Sequence, residues 1–150
     1  MNKLVNISDL PGRVCNFELS GSLVQLGFND QCNYWYTPSG DLITIDSDTP
    51  NDYIPAPFLF QVEEWLEINH RIHIEMASTF TYATITNIGW YYRIFYINHE
   101  LEIFDIHNSE YFFSSKSDAL EEAIPVIVRY LENLKYEWKE NLKLLEWNIL

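Results

Sequence analysis

Four histidines and a scatter of acids are the residues of this chain best equipped for chemistry. His70 and His73 stand three apart in an H-x-x-H spacing, with His99 and His107 further along, and Glu75 or Asp105 could complete a metal-binding set. The spacing argues against that reading. Two zinc ligands on one helical face take an i, i+4 interval with a third ligand nearby, whereas here a helical pattern ends near Asn69 and a strand pattern begins near Arg71. The residue pattern therefore calls for no metal and no cofactor, and leaves these histidines as polar loop and strand-edge residues.

A second constellation depends on that strand. If Arg71 to Ala77 is extended, His73 and Glu75 share a face, because side chains alternate along a strand. A neighbouring strand could then bring Arg93 or Tyr91 alongside. An imidazole, a carboxylate and a guanidinium in contact are the materials of acid–base catalysis, and His73, Glu75 and Arg93 are the catalytic candidates on those grounds. Half-buried ion pairs that only orient a sheet use the same residue types and are commoner. The other familiar reaction signatures are missing: there is no nucleophile elbow, no phosphate-cradling glycine loop and no dinucleotide fingerprint in a chain with only five glycines. Ser114, Ser115 and Ser117 read as helix caps. Cys15 and Cys32 are too few for a disulfide scaffold, and their separation matches no zinc pair. Reduced thiols are the expectation, although spacing alone does not settle whether the two are paired.

The elements that must position these residues follow from periodicity. Leu19, Leu23 and Leu26 recur at helical intervals within residues 17–28, and Gly27 with Asn29 and Asp30 reads as a stop. Residues 32–36 and 42–45 flank Thr37-Pro38-Ser39-Gly40-Asp41 as a β-hairpin, and the proline-rich stretch 46–57 reads as a surface connection. Phe58, Val62, Trp65, Leu66 and Asn69 mark one face of an amphipathic helix, with Glu63, Glu64 and Glu67 opposite. Strands are predicted over 71–77, 90–97 and 100–106, the last two joined by a two-residue turn at Asn98-His99. A further strand over Phe80 to Thr86 would end at an Asn87-Ile88-Gly89 turn.

The run 90–97 is apolar on both faces. Trp90, Tyr92, Ile94 and Tyr96 alternate with Tyr91, Arg93, Phe95 and Ile97, so the strand is expected to be central in its sheet, with helices behind and something else in front. Trp90, Tyr92 and Tyr96 are the predicted interaction residues on that basis. Ser115 begins a capping pattern with Asp118 three residues on. The helix it starts carries Leu120, Ile124, Ile127, Val128, Leu131 and Leu134 on one stripe, and Pro125 should kink or restart it. Residues 136–150 hold Trp138, Leu142, Leu144, Leu145 and Trp147 among alternating Lys and Glu, a possible helical tail that docks its rings on the domain or a partner. The expected architecture is a single α+β domain over residues 1–150, with an antiparallel sheet of about four to six strands in hairpins and a meander, packed against two main helices.

Composition bounds the partners. Twenty-two acids against nine Lys and Arg leave a net charge of −13, spread along the whole chain: two cations face six acids in residues 1–50, two face six in 51–100, and five face ten in 101–150. Phosphate backbones are gripped by clustered cations, so direct contact with nucleic acid or an anionic membrane is disfavoured. Such a surface could instead imitate a row of phosphates and occupy the groove of a nucleic-acid-binding protein. Residues 1–11 lack the apolar stretch of an export signal, and no run approaches the roughly 20 apolar residues of a membrane span, which reads as a cytoplasmic protein. Five Trp, ten Tyr and nine Phe are many rings for one small core, since each carries roughly 150–250 Å² to bury. Some are expected at a subunit or partner contact.

At Ala56-Pro57, Val62, Trp65-Leu66, His70 and Ile72-His73-Ile74, followed by Phe113, Ser115, Ala119-Leu120-Glu121-Glu122-Ala123 and Leu131, the chain resembles small uncharacterised proteins encoded by phages and mobile elements of Bacteroides-like gut bacteria. The resemblance covers roughly residues 55–134 and rests mostly on packing positions. It implies a phage or prophage setting and brings no activity with it. The reading that follows is a non-catalytic accessory protein acting by protein–protein contact and self-association. The rivals are an acidic inhibitor of a host nucleic-acid-binding protein and a small-ligand or metal-dependent enzyme.

Overall fold

The apolar intervals read above become three helices and seven strands in a computed structural model that describes residues 2–46, 48–81 and 86–149. In chain order these are β1 (Lys3–Leu4), α1 (Phe17–Gln25), β2 (Trp35–Tyr36), β3 (Leu42–Thr44), β4 (Ile54–Pro55), α2 (Leu59–His70), β5 (Ile72–Thr81), β6 (Thr86–Ile97), β7 (Ile103–Asn108) and α3 (Lys116–Ile149). The class is α+β. The strands divide into two antiparallel sheets, of order β1-β3-β2-β4 and β5-β6-β7, where the sequence had suggested one sheet of four to six strands. The strands of the first sheet are only two or three residues long, too short for alternation to reveal that they pair apart from the second.

Local chemistry sets the element ends. The Asn16 side-chain oxygen accepts the Leu19 N–H and caps α1, and Gly27 at φ +99° ends it. Gly40 at φ +91° closes the predicted hairpin between β2 and β3. The amide of Gln61 accepts the Phe58 N–H at the start of α2, and Arg71, at φ 55°, ends that helix and turns the chain into β5 within one residue. The Ser115 hydroxyl accepts the Asp118 N–H as the capping pattern required. The Asp118 carboxylate turns instead to Ser114 and Arg13.

Two predicted turns are corrected. Asn87-Ile88-Gly89 is not a turn but lies inside β6. The predicted strand over Phe80 to Thr86 falls partly on residues 82–85, outside the described residues; Phe80 and Thr81 close β5 and Thr86 opens β6. The two-residue turn at Asn98-His99 is a five-residue loop, in which the Asn98 side chain accepts the N–H groups of Glu100 and Glu102 and Leu101 takes a positive φ. An asparagine that can cap its own loop stabilises a longer connection than a two-residue turn. α3 runs through Pro125 without restarting; the proline removes one intrahelical bond, which the packing of Ile124, Ile127 and Val128 offsets.

The main core lies between the inner face of β5-β6-β7 and the helices. Ile72, Tyr92 and Ile94 from the sheet meet Val62, Trp65 and Leu66 of α2, Leu23 of α1, and Ala119, Ala123, Ile124 and Ile127 of α3, all buried. A smaller cluster, Tyr36, Leu42 and Ala56, underlies the first sheet. No helix among the described residues is long and apolar enough to cross a membrane.

Candidate functional site

β6 pairs along its length with β5, Glu75 opposite Arg93 and His73 opposite Phe95. Because alternate side chains take opposite faces, this register sends Tyr92 and Ile94 into the core and leaves His73, Glu75, Tyr91, Arg93, Phe95 and Ile97 on the outer face. The three catalytic candidates are therefore neighbours, as the strand reading expected. A bulge in β7 adds a fourth group. Phe95 pairs with Asp105 after Ile94 has paired with His107, so one residue is skipped. Unshifted pairing would have put Ile106 outside and Asp105 in the core; the bulge reverses both. Ile106 packs on the core and Asp105 reaches Arg93.

Arg93 is the centre of this face. Its Nε and Nη2 lie 2.7 and 2.6 Å from one Asp105 oxygen, its Nη1 lies 3.7 Å from Glu75, and its guanidinium sits 5.1 Å from the centre of the Phe95 ring. His73 also stacks on Phe95 at 5.5 Å and holds Nδ1 3.4 Å from Glu67 of α2. Glu67, His73, Phe95, Arg93, Glu75 and Asp105 thus form one ladder across the sheet. A general base needs an unengaged acceptor aimed at a concave substrate site. Here both carboxylates are spent on one guanidinium, on the open surface of a sheet: the side chains of Glu75 and Asp105 are 60% and 59% exposed. In this geometry the guanidinium and the two carboxylates neutralise one another on an exposed surface.

Phe112 completes the face. It sits edge-on to Tyr91 at 6.0 Å, directly over Gly89, where an added Cβ would stand 2.7 Å from the Phe112 Cβ. Gly89 is present because the returning chain lies on it: Trp90 and Phe113 exchange both backbone hydrogen bonds. Tyr91 and Phe112 are both exposed.

The other candidates are placed apart. His70 packs edge-on to Trp65 at 4.7 Å, and burial lowers its pKa; it shares no partner with His73. Among the described residues no group of three or more His, Cys, Asp or Glu could hold a metal ion. The predicted interaction residues need correcting. Tyr92 is fully buried, Trp90 packs on the core, and Tyr96 pairs with Ile72 on the same inner face. α3 covers the face of β6 that these rings occupy, so the open one is the face of Tyr91, Arg93 and Phe95. Sequence alternation separated the two faces but not which of them α3 would cover, since both are apolar.

Cys15 and Cys32 are buried and unpaired. Burial pushes their thiols up to about 12 and about 11, which suppresses the thiolate needed for reaction. A cleft of about 550 Å³ lies between the N-terminal segment and α3, lined in part by Leu10, Arg13, Tyr36 and Glu121. Its polar groups are engaged: Tyr36 donates to the Cys15 carbonyl and Arg13 bridges Asp118 and Glu121.

No protein-family model matches this chain, and no curated protein or solved structure matches it.

Proposed function

We propose that this protein is a non-catalytic accessory protein of phage or mobile-element origin that acts in a bacterial cytoplasm by binding another protein through the outer face of β5-β6-β7. The observation that carries the reading is the state of that face. Tyr91, Phe95, Ile97 and Phe112 present apolar surface there, while the polar groups among them are already held, Arg93 by Glu75 and Asp105, and His73 by Glu67 and the Phe95 ring. Aromatic rings and arginine are enriched at the centres of protein interfaces, and a pre-formed ladder loses little side-chain freedom on docking.

The test is capture from a bacterial host lysate by the wild-type chain and by a Tyr91→Glu, Phe95→Glu double variant with matched melting temperature. A partner held by the first and lost by the second is expected; one retained equally by both would sink the reading. The charge distribution supports a second possibility, imitation of a phosphate row, because eighteen acids face six cations before residue 132. That reading requires capture of a basic protein that falls steeply with added salt and ignores the Tyr91 and Phe95 substitutions.

A further inference from the structure

α3 is half embedded and half free. Between residues 116 and 131 it buries Ala119, Leu120, Ala123, Ile124, Ile127 and Val128. The Lys135 ammonium donates to the Gln25 carbonyl at the end of α1, and beyond it the helix leaves the body: every described side chain from Glu132 to Lys143 except Glu140 is exposed. The apolar stripe nevertheless continues. At 100° per residue Leu134, Trp138 and Leu142 fall on the same side of the helix as Leu120, Ile124, Ile127 and Leu131, and Trp138 is 68% exposed. Residues 132–149 extend about 27 Å at 1.5 Å per residue. A helix of that length gains most of its stability from packing an apolar face, and this face has no cover within the chain among the described residues.

We infer that a second copy of this chain covers it, the two overhangs pairing antiparallel about a two-fold axis near position 140. Charge selects this occupant and this direction. Before residue 132 the chain carries eighteen acids and six cations; from 132 onward it carries four acids and three lysines. A helix with balanced flanks matches itself better than a strongly charged partner. Antiparallel pairing holds the two acidic bodies at opposite ends of the helices, beyond the roughly 8–10 Å over which salt leaves charges unscreened, whereas parallel pairing sets them side by side. In the antiparallel register each position lies level with the one an equal number of residues beyond position 140 in the other copy. Trp138 of each copy then meets Leu142 of the other. A strip one helix wide is at the small end of specific interfaces, below about 1,200 Å² in total, so the pair forms in the micromolar range.

The surface is separate from the sheet face proposed above, and its test is separate too. Light scattering on the full chain over a micromolar concentration series should approach twice the 17.8 kDa chain mass, and a Trp138→Glu, Leu142→Glu variant should stay at the single mass with an unchanged far-ultraviolet spectrum of the body. Spin labels at Asn133→Cys should lie about 20 Å apart or more, from seven residues on each side of the axis at 1.5 Å each. A monomeric wild type, a dimer indifferent to the double substitution, or labels within about 10 Å as parallel pairing requires would each overturn the inference. None of these results bears on capture through Tyr91 and Phe95.

Discussion

The two faces of β6 have almost the same hydrophobicity and opposite fates. Tyr92 and Ile94 are fully buried under α3, while Tyr91, Arg93 and Phe95, one residue away in each case, look outward. Composition therefore does not decide which face becomes core. What decides is the partner: the inner face pairs Ile72, Ile74 and Met76 of β5 with Tyr96, Ile94 and Tyr92 of β6, in that order, in one uninterrupted apolar surface, and the outer face interrupts its rings with Glu75, Arg93 and His73. A helix stripe of Ala119, Ala123, Ile124 and Ile127 has nothing to satisfy charged groups and packs where there are none.

The contrast can be broken most severely from the inside. Tyr92→Ala should cost about 3–5 kcal/mol, the range for emptying an aromatic site in a packed core, and lower the melting temperature by roughly 6–20 °C at about 2–4 °C per kcal/mol; differential scanning calorimetry would show it. Gly89→Ala strikes the seam between the faces. Its new Cβ would stand 2.7 Å from the Phe112 Cβ and 3.1 Å from the Phe113 carbonyl oxygen, so a loss of about 1–3 kcal/mol is expected from overpacking, with Phe112 displaced from Tyr91 and a changed near-ultraviolet signal. Arg93→Met sharpens the contrast from the outside. Its ion pairs are solvent-exposed, and such pairs contribute about 0–1 kcal/mol, so its melting temperature should move by a few degrees at most while salt sensitivity of the melt falls.

A pH series adds an internal control. Hydrogen bonds from Ser114, Arg13 and Ser115 hold the Asp118 carboxyl down at about 2, below its ordinary value of 3.8. A group whose folded pKa is depressed contributes stability above its unfolded pKa and loses it as pH falls through the folded one. The Asp118 contribution should thus be complete above about pH 4 and disappear toward pH 2, and Asp118→Asn should flatten the melting curve against pH in that window alone.

Most of this architecture was legible in the residues, and the parts that were not share a cause. Helical stripes such as Phe58 to Asn69 and caps such as Ser115 act over one or two turns, so spacing exposes them. The division into two sheets rests on strands of two or three residues, where period-2 alternation has no length to show itself. The bulge that carries Asp105 to Arg93 depends on register between strands, and a single skipped residue, Ile106, leaves no local mark. Trp90, Tyr92 and Tyr96 were the natural choice for a contact surface because they are large rings on one face; burial by α3 is a long-range fact about residues some thirty positions away. Glu75 and Arg93 do meet, while His73 turns to Glu67 and the Phe95 ring, so the trio their types suggested is not assembled.

The most direct test is a matched pair of melts on adjacent residues of one strand. Ile94→Ala should cost about 2–5 kcal/mol, as for a buried aliphatic, and Phe95→Ala should cost less than about 1 kcal/mol despite removing the larger side chain. Equal losses for the two substitutions would mean that both faces of β6 serve the fold, and would contradict an outer face kept for a partner.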